Sequence, residues 1–147
     1  MIPDLVTHTI LIQAPAALVW ATLTNPALMK SWMGMPEMKL EIKFGTGTGE
    51  RVAVSGHHHG YFVNKGAITL FEPYQRLQYT HWSSVSRLED EARNYTVFTF
   101  LLEAVAGQTR LTFEASRFPT EAIYHHLNFY WRGAVHLIKQ VVENQAG

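Results

Sequence analysis

No cysteine occurs among the 147 residues of this chain, so disulfides, thiolate nucleophiles and cysteine-ligated metals are excluded. An excess of either charge is missing too: twelve basic residues balance twelve acidic ones, for a formal net charge of zero. Such a chain has little to offer a phosphate backbone or an anionic membrane surface, so neither nucleic acid nor membrane is an expected partner. No run approaches the roughly 18 apolar residues of a membrane span. The opening Met1-Ile2-Pro3-Asp4 lacks a basic region followed by an apolar stretch; it does not read as a signal peptide, and the cytoplasm is the expected address. No Gly-x-Ser-x-Gly elbow, phosphate-cradling loop or dinucleotide fingerprint is present. Gly45-Thr46-Gly47-Thr48-Gly49 lacks the following helix and lysine that a phosphate site would use, and reads as a hairpin tip.

What is present is globular. Hydrophobic residues make up 47% and charged residues 16% of the chain, a balance that can bury a core and that disfavours disorder. Length is that of one domain, expected over 1–147. The β-branched stretch Thr7–Gln13 reads as a strand, and Ala14-Pro15 ends it. Pro15 suits the first turn of a helix over Ala16–Thr24, Asn25-Pro26 breaks that helix, and a second covers Ala27–Trp32. Leu18, Leu23, Leu28 and Trp32 are their expected apolar contacts. Strands follow over Met38–Phe44, Arg51–His59, Tyr61–Phe71, Arg76–Trp82, Asn94–Glu103 and Thr109–Ser116, with a polar loop over Ser83–Arg93.

The last element is a helix from Thr120 to about Glu143. Ile123, Leu127, Tyr130, Ala134, Leu137 or Ile138, and Val141 recur along it at steps of three and four, which makes one apolar stripe. One strand, two short helices, six strands and a long helix leave little room for parallel crossovers. The expectation is an α+β fold in which a seven-stranded antiparallel sheet wraps around the C-terminal helix. A single helix about 10 Å wide does not fill the concave face of a twisted sheet, which leaves space for bulky side chains or a ligand.

Several short motifs fit this order. Ala14-Pro15-Ala16-Ala17-Leu18-Val19-Trp20, Leu23-Thr24-Asn25-Pro26 and Trp32 resemble the opening of the START/Bet v 1-like (SRPBCC) superfamily, more narrowly the branch named after the C-terminal domain of the Hsp90 ATPase activator. Gly66 with Phe71-Glu72-Pro73 and Arg76-Leu77, then Gly107-Gln108-Thr109-Arg110-Leu111-Thr112, then Trp131, agree with it. The resemblance implies the helix-grip fold and a cavity of the kind in which relatives hold lipids, hormones or polyketide-like molecules, some of them as cyclases. The activator engages Hsp90 with a further N-terminal domain for which this chain has no room, so the co-chaperone role is not carried over. The stretch 45–60 is richer in glycine and histidine than the branch's pattern.

Strand alternation assigns faces. His8, Ile10 and Ile12 share one; Asn64, Ile68 and Leu70 point inward, as do Leu77, Tyr79 and His81. Asn94, Thr96, Phe98, Phe100 and Leu102 do so on the next strand, and Leu111, Phe113 and Ala115 on the last. With Leu127, Tyr130 and Trp131 from the helix, the expected ligand-binding set is His8, Asn64, Ile68, Leu70, Tyr79, His81, Asn94, Thr96, Phe98, Phe100, Leu127, Tyr130 and Trp131. An apolar hollow with a few convergent polar groups suits a small apolar or aromatic molecule, without cofactor. Outward-facing Trp82 and Tyr95 read as exposed aromatics and suggest a homodimer surface.

Chemistry beyond binding has few carriers. Alternation puts His57 and His59 on one face and His58 on the other, so His57-His58-His59 reads as a solvated strand end and no metal is expected. Glu89, Asp90 and Glu91 lie in the polar loop and are expected to be solvated rather than buried acid–base groups. Were the chain an enzyme, a cyclase or hydrolase, His81 would be its acid–base group, helped by Tyr79 or Asn94. A protein-interaction module is the third reading.

Overall fold

The computed structural model describes residues 2–146. Its strands are β1 (Leu5–Ile12), β2 (Glu41–Phe44), β3 (Arg51–His57), β4 (Tyr61–Glu72), β5 (Arg76–Ser83), β6 (Thr96–Val105) and β7 (Gln108–Ser116). They form one antiparallel sheet in the order β1-β7-β6-β5-β4-β3-β2. Helices α1 (Ala16–Thr24) and α2 (Pro26–Met33) follow β1, and α3 (Glu121–Ala146) closes the chain. This is the expected helix-grip arrangement: a curved sheet holding one long helix.

Local chemistry explains the joints. The Asn25 side chain accepts the Ala27 N–H at 2.9 Å, and Pro26 occupies the first turn of α2, where a missing N–H costs nothing. Val19, Trp20, Leu23, Met29 and Trp32 bury the pair, while Leu18 and Leu28 are only half-buried. Thr109 is fully enclosed and its Oγ1–H donates to the Ala14 carbonyl at 2.8 Å, which ties β7 to the chain entering α1.

Helix α3 spans 26 residues, about 39 Å at 1.5 Å per residue. It runs beside β1. Lys139 Nζ donates to the Leu11 carbonyl at 2.8 Å, Glu143 accepts the Gln13 N–H at 2.8 Å, and the His8 Nε2–Asn128 Oδ1 contact is 2.9 Å. Trp131, Ala134, Val135, Ile138 and Val142 form its buried stripe; of the two residues left open by periodicity, Ile138 is inside and Leu137 is exposed. Trp131 stacks on Phe113 with centroids 4.2 Å apart, and Phe98 and Phe100 meet its edge at 5.3 and 5.6 Å.

The β4–β5 ladder is irregular, and this shapes the sheet. Pairing skips Gly66 and Ala67, where the Ala67 N–H turns to Thr80 Oγ1 at 3.0 Å. A Cβ on Gly66 would lie 1.7 Å from the Thr80 carbonyl oxygen, so only glycine permits this approach. Past Ile68 the register slips by one residue: Ile68 pairs with Tyr79, but Leu70 pairs with Gln78. Thr69 is therefore the extra residue of a bulge, and the strand's faces exchange beyond it.

Candidate functional site

That exchange overturns one expected site residue. Leu70 pairs with outward-facing Gln78 and lies on the outer face, while Phe71, opposite Leu77, turns inward onto Trp20 at 5.2 Å. Strict alternation had placed Leu70 inside; the bulge at Thr69 shifts it.

Between the sheet and the N-terminal half of α3 lies a cavity of about 960 Å³ that is partly open to solvent. Its volume is near the top of the roughly 300–1,000 Å³ range usual for small-molecule sites. Asn64 on β4, Tyr79 and His81 on β5, Thr96 and Phe98 on β6, and Leu127, Tyr130 and Trp131 on α3 all line it, with Asn94 at its rim. His8, Ile68 and Phe100 face inward but lie elsewhere: His8 bridges to Asn128 at the β1–α3 seam, and Ile68 and Phe100 are sealed in the core. Which inward residues meet a void depends on where α3 rests, and strand periodicity carries no information on that.

Asn94 departs from expectation in a second way. It sits in a short 3-10 turn, Ala92–Asn94, ahead of a strand that starts at Thr96. Its amide Nδ2–H donates to the Glu89 carbonyl at 2.8 Å, so that N–H holds the loop. Trp82 and Tyr95 are not bare: both are half-buried and they stack at 6.5 Å. Trp82 also borders the cavity, with its Nε1 buried and unpartnered among the described residues, and Lys65 lies over its ring. Asp90 accepts from Tyr95 and pairs with Lys65. Hydrogen bonds from Lys65 and Tyr95 lower the pKa of Asp90, while burial and Asp90 push the Tyr95 phenol up to about 12.

Several polar groups in the cavity lack protein partners. Asn64 Oδ1 is buried and has no hydrogen bond. The His81 ring stacks on Phe98 at 4.7 Å, and its nitrogens make no hydrogen bond among the described residues. Burial, and then the nearby His126 of α3, push the His81 imidazole down to about 4, so it is neutral at pH 7. The Tyr79 hydroxyl is held protonated, chiefly by burial and then by Tyr130. Burial also raises Tyr130 to about 12, and its hydroxyl is 3.5 Å from the Met33 carbonyl, long for a hydrogen bond. Met33, Met38, Leu40, Val52, Val54 and Phe62 supply the apolar wall opposite.

Sequence reasoning missed the mouth. His58, His59, Arg87 and His126 all border the opening. His126 had a legible signal, since it lies four residues before Tyr130 on one helix face. His58 and His59 fall in the tight β3–β4 turn, where the His58 N–H donates to the Gly60 carbonyl at 2.9 Å. Among the described residues, no three histidine, aspartate or glutamate side chains converge as metal ligands would. Among the described residues, no helix is long and apolar enough to cross a membrane.

A family profile described as Activator of Hsp90 ATPase homolog 1-like protein matches residues 13–143. No curated protein sequence matches the chain. Among solved structures it resembles ChR145 from Cytophaga hutchinsonii, with 25% identity, a TM-score of 0.79, and 99% of this chain and 98% of that one covered. MLL2253 from Mesorhizobium loti is 21% identical with a TM-score of 0.76, covering 95% and 97% of the two chains. DynU16, a protein of the dynemicin biosynthetic locus, is 18% identical with a TM-score of 0.73; the match covers 96% of this chain and 48% of that one.

Proposed function

From the premise that the chain belongs to the Activator of Hsp90 ATPase homolog 1-like family of the START/Bet v 1-like superfamily, we propose that it binds a small apolar or aromatic molecule between α3 and the sheet. One observation carries this reading: the 960 Å³ cavity holds a buried amide oxygen, Asn64 Oδ1, with no partner in the protein. Leaving a buried acceptor unpaired costs about 1–3 kcal/mol, and a ligand or water donor in the cavity removes that cost. The remaining walls are apolar, which favours a ligand body that is mostly hydrocarbon or aromatic. The lack of cysteine suits work in the reducing cytoplasm.

The test is native mass spectrometry of protein purified from its own host, followed by fluorescence titration with 1-pyrenebutanol. A retained small molecule, or saturable one-to-one probe binding that Val54→Phe blocks without loss of fold, supports the reading. Absence of both a retained mass and saturable probe binding refutes it.

A second reading, catalysis, is favoured by one feature. Burial keeps His81 neutral and able to accept a proton, with the Tyr79 hydroxyl in the same cavity as a donor. The reaction class would be proton transfer on a bound ring-forming or ester-like substrate. Loss of turnover of such a substrate in His81→Gln, with ligand affinity retained, separates this from binding alone.

A further inference from the structure

Charge in the chain as a whole is balanced, but the cavity's is not. Among the described residues no aspartate or glutamate lines it, whereas Lys65, Arg87, His58, His59, His81 and His126 do. Lys65 is neutralised by Asp90. Arg87 has no carboxylate partner among the described residues. Glu121, the acidic residue of the first turn of α3, is drawn to His125 at 3.4 Å and does not border the cavity. His81 on β5 and His126 on α3 both line the cavity, from the sheet and from the helix. An anion between them can accept an N–H hydrogen bond from each ring.

Resting on the reading of the cavity as a ligand site, we propose that its ligand is an amphipathic acid: an apolar or aromatic body against Phe98, Leu127 and Trp131, with a carboxylate held between His81 and His126 and facing Arg87 at the mouth. A carboxylate is far better solvated in water than in an apolar hollow. Preference for an acid over its uncharged analogue therefore requires cationic or N–H donors placed to receive it. The one-signed lining supplies them.

Two matched probes decide the matter. Fluorescence titration at pH 7 compares 1-pyrenebutyrate with 1-pyrenebutanol, which share the ring system and chain. The acid is expected to bind about tenfold more tightly, the scale of one partly screened ion pair. His126→Glu puts a carboxylate on an exposed turn of α3, where folding is little affected, and is expected to drop the acid's affinity below the alcohol's. His136→Gln, on the same helix but outside the cavity, controls for general effects on α3. Equal or weaker binding of the acid by the unaltered protein overturns the anion site alone. Equal weakening of both probes by His126→Glu does the same. Failure of both probes to bind saturably overturns the anion site together with the cavity reading.

Discussion

Neutral His81 makes the fold acid-sensitive in a way that can be calculated. Its imidazole titrates near 6.5 when free and near 4 in the folded protein, mainly because the ring is buried against Phe98. The folded value is the lower one, so between pH 6.5 and 4 the unfolded chain binds more protons and stability falls as pH falls. Above the free value the effect vanishes, and below the folded value it saturates. Linkage gives a loss of about 2 kcal/mol between pH 7.5 and pH 5, rising to a limit of roughly 3 kcal/mol below pH 4. Water entering the cavity solvates the imidazolium, so these figures are ceilings. Against a total of about 5–15 kcal/mol for a domain, the change is readily measured.

The assay is urea unfolding from pH 4 to 8 for the unaltered protein and for His81→Gln, in which the titrating group is gone. Subtracting the two profiles removes the carboxylates common to both. The difference should grow as pH drops, with its steepest part between pH 6.5 and 4, and the His81 ring signal in NMR should titrate with a midpoint near 4. Superimposable profiles, or a His81 midpoint near 6.5, refute the reasoning. A bound acid should raise the His81 midpoint and flatten the curve.

Three substitutions probe the framework. Gly66→Ala pushes a methyl group into the Thr80 carbonyl and is expected to lose about 3 kcal/mol in chemical denaturation, because backbone must move to admit it. Thr109→Val keeps the shape but orphans the Ala14 carbonyl, for a loss of about 1–3 kcal/mol; a change below a few tenths would show that this link is dispensable. Trp131→Ala removes the ring between Phe113 and the cavity and should cost about 3–5 kcal/mol by thermal or urea unfolding, with weakened probe binding.

Much of the architecture was legible because local signals agreed with one another. Pro15 and Asn25-Pro26 bound the short helices, and strict alternation in β5, β6 and β7 put Tyr79, His81, Phe98 and Phe113 on the correct face. The stripe on α3 was clear, although periodicity could not choose Ile138 over Leu137. Even the weak motifs have physical causes: Gly66 for the contact with Thr80, Phe71 for the packing on Trp20, and Glu72 for the 2.9 Å ion pair with Arg76 that holds the turn. What escaped the sequence was non-local. A single extra residue at Thr69 inverted Leu70, and tethering of Asn94 to Glu89 delayed β6 until Thr96. The mouth is drawn from a turn, a loop and a helix far apart in sequence, so no single stretch announces His58, Arg87 and His126 together.

The wall made by Trp131, Phe113, Phe98 and Phe100 has a consequence for how such a domain can change. Phe100 and Phe113 belong to the sealed packing with Ile12, Val19, Leu111 and Ile138, while Phe98 and Trp131 also line the hollow bordered by Val52, Val54, Asn64 and Ile123. Substitutions on the hollow side alter the shape offered to a guest without opening voids in the sealed side, since the ring wall stands between them. The domain therefore has two mutational compartments, one answerable for remaining folded and one free to explore new guests.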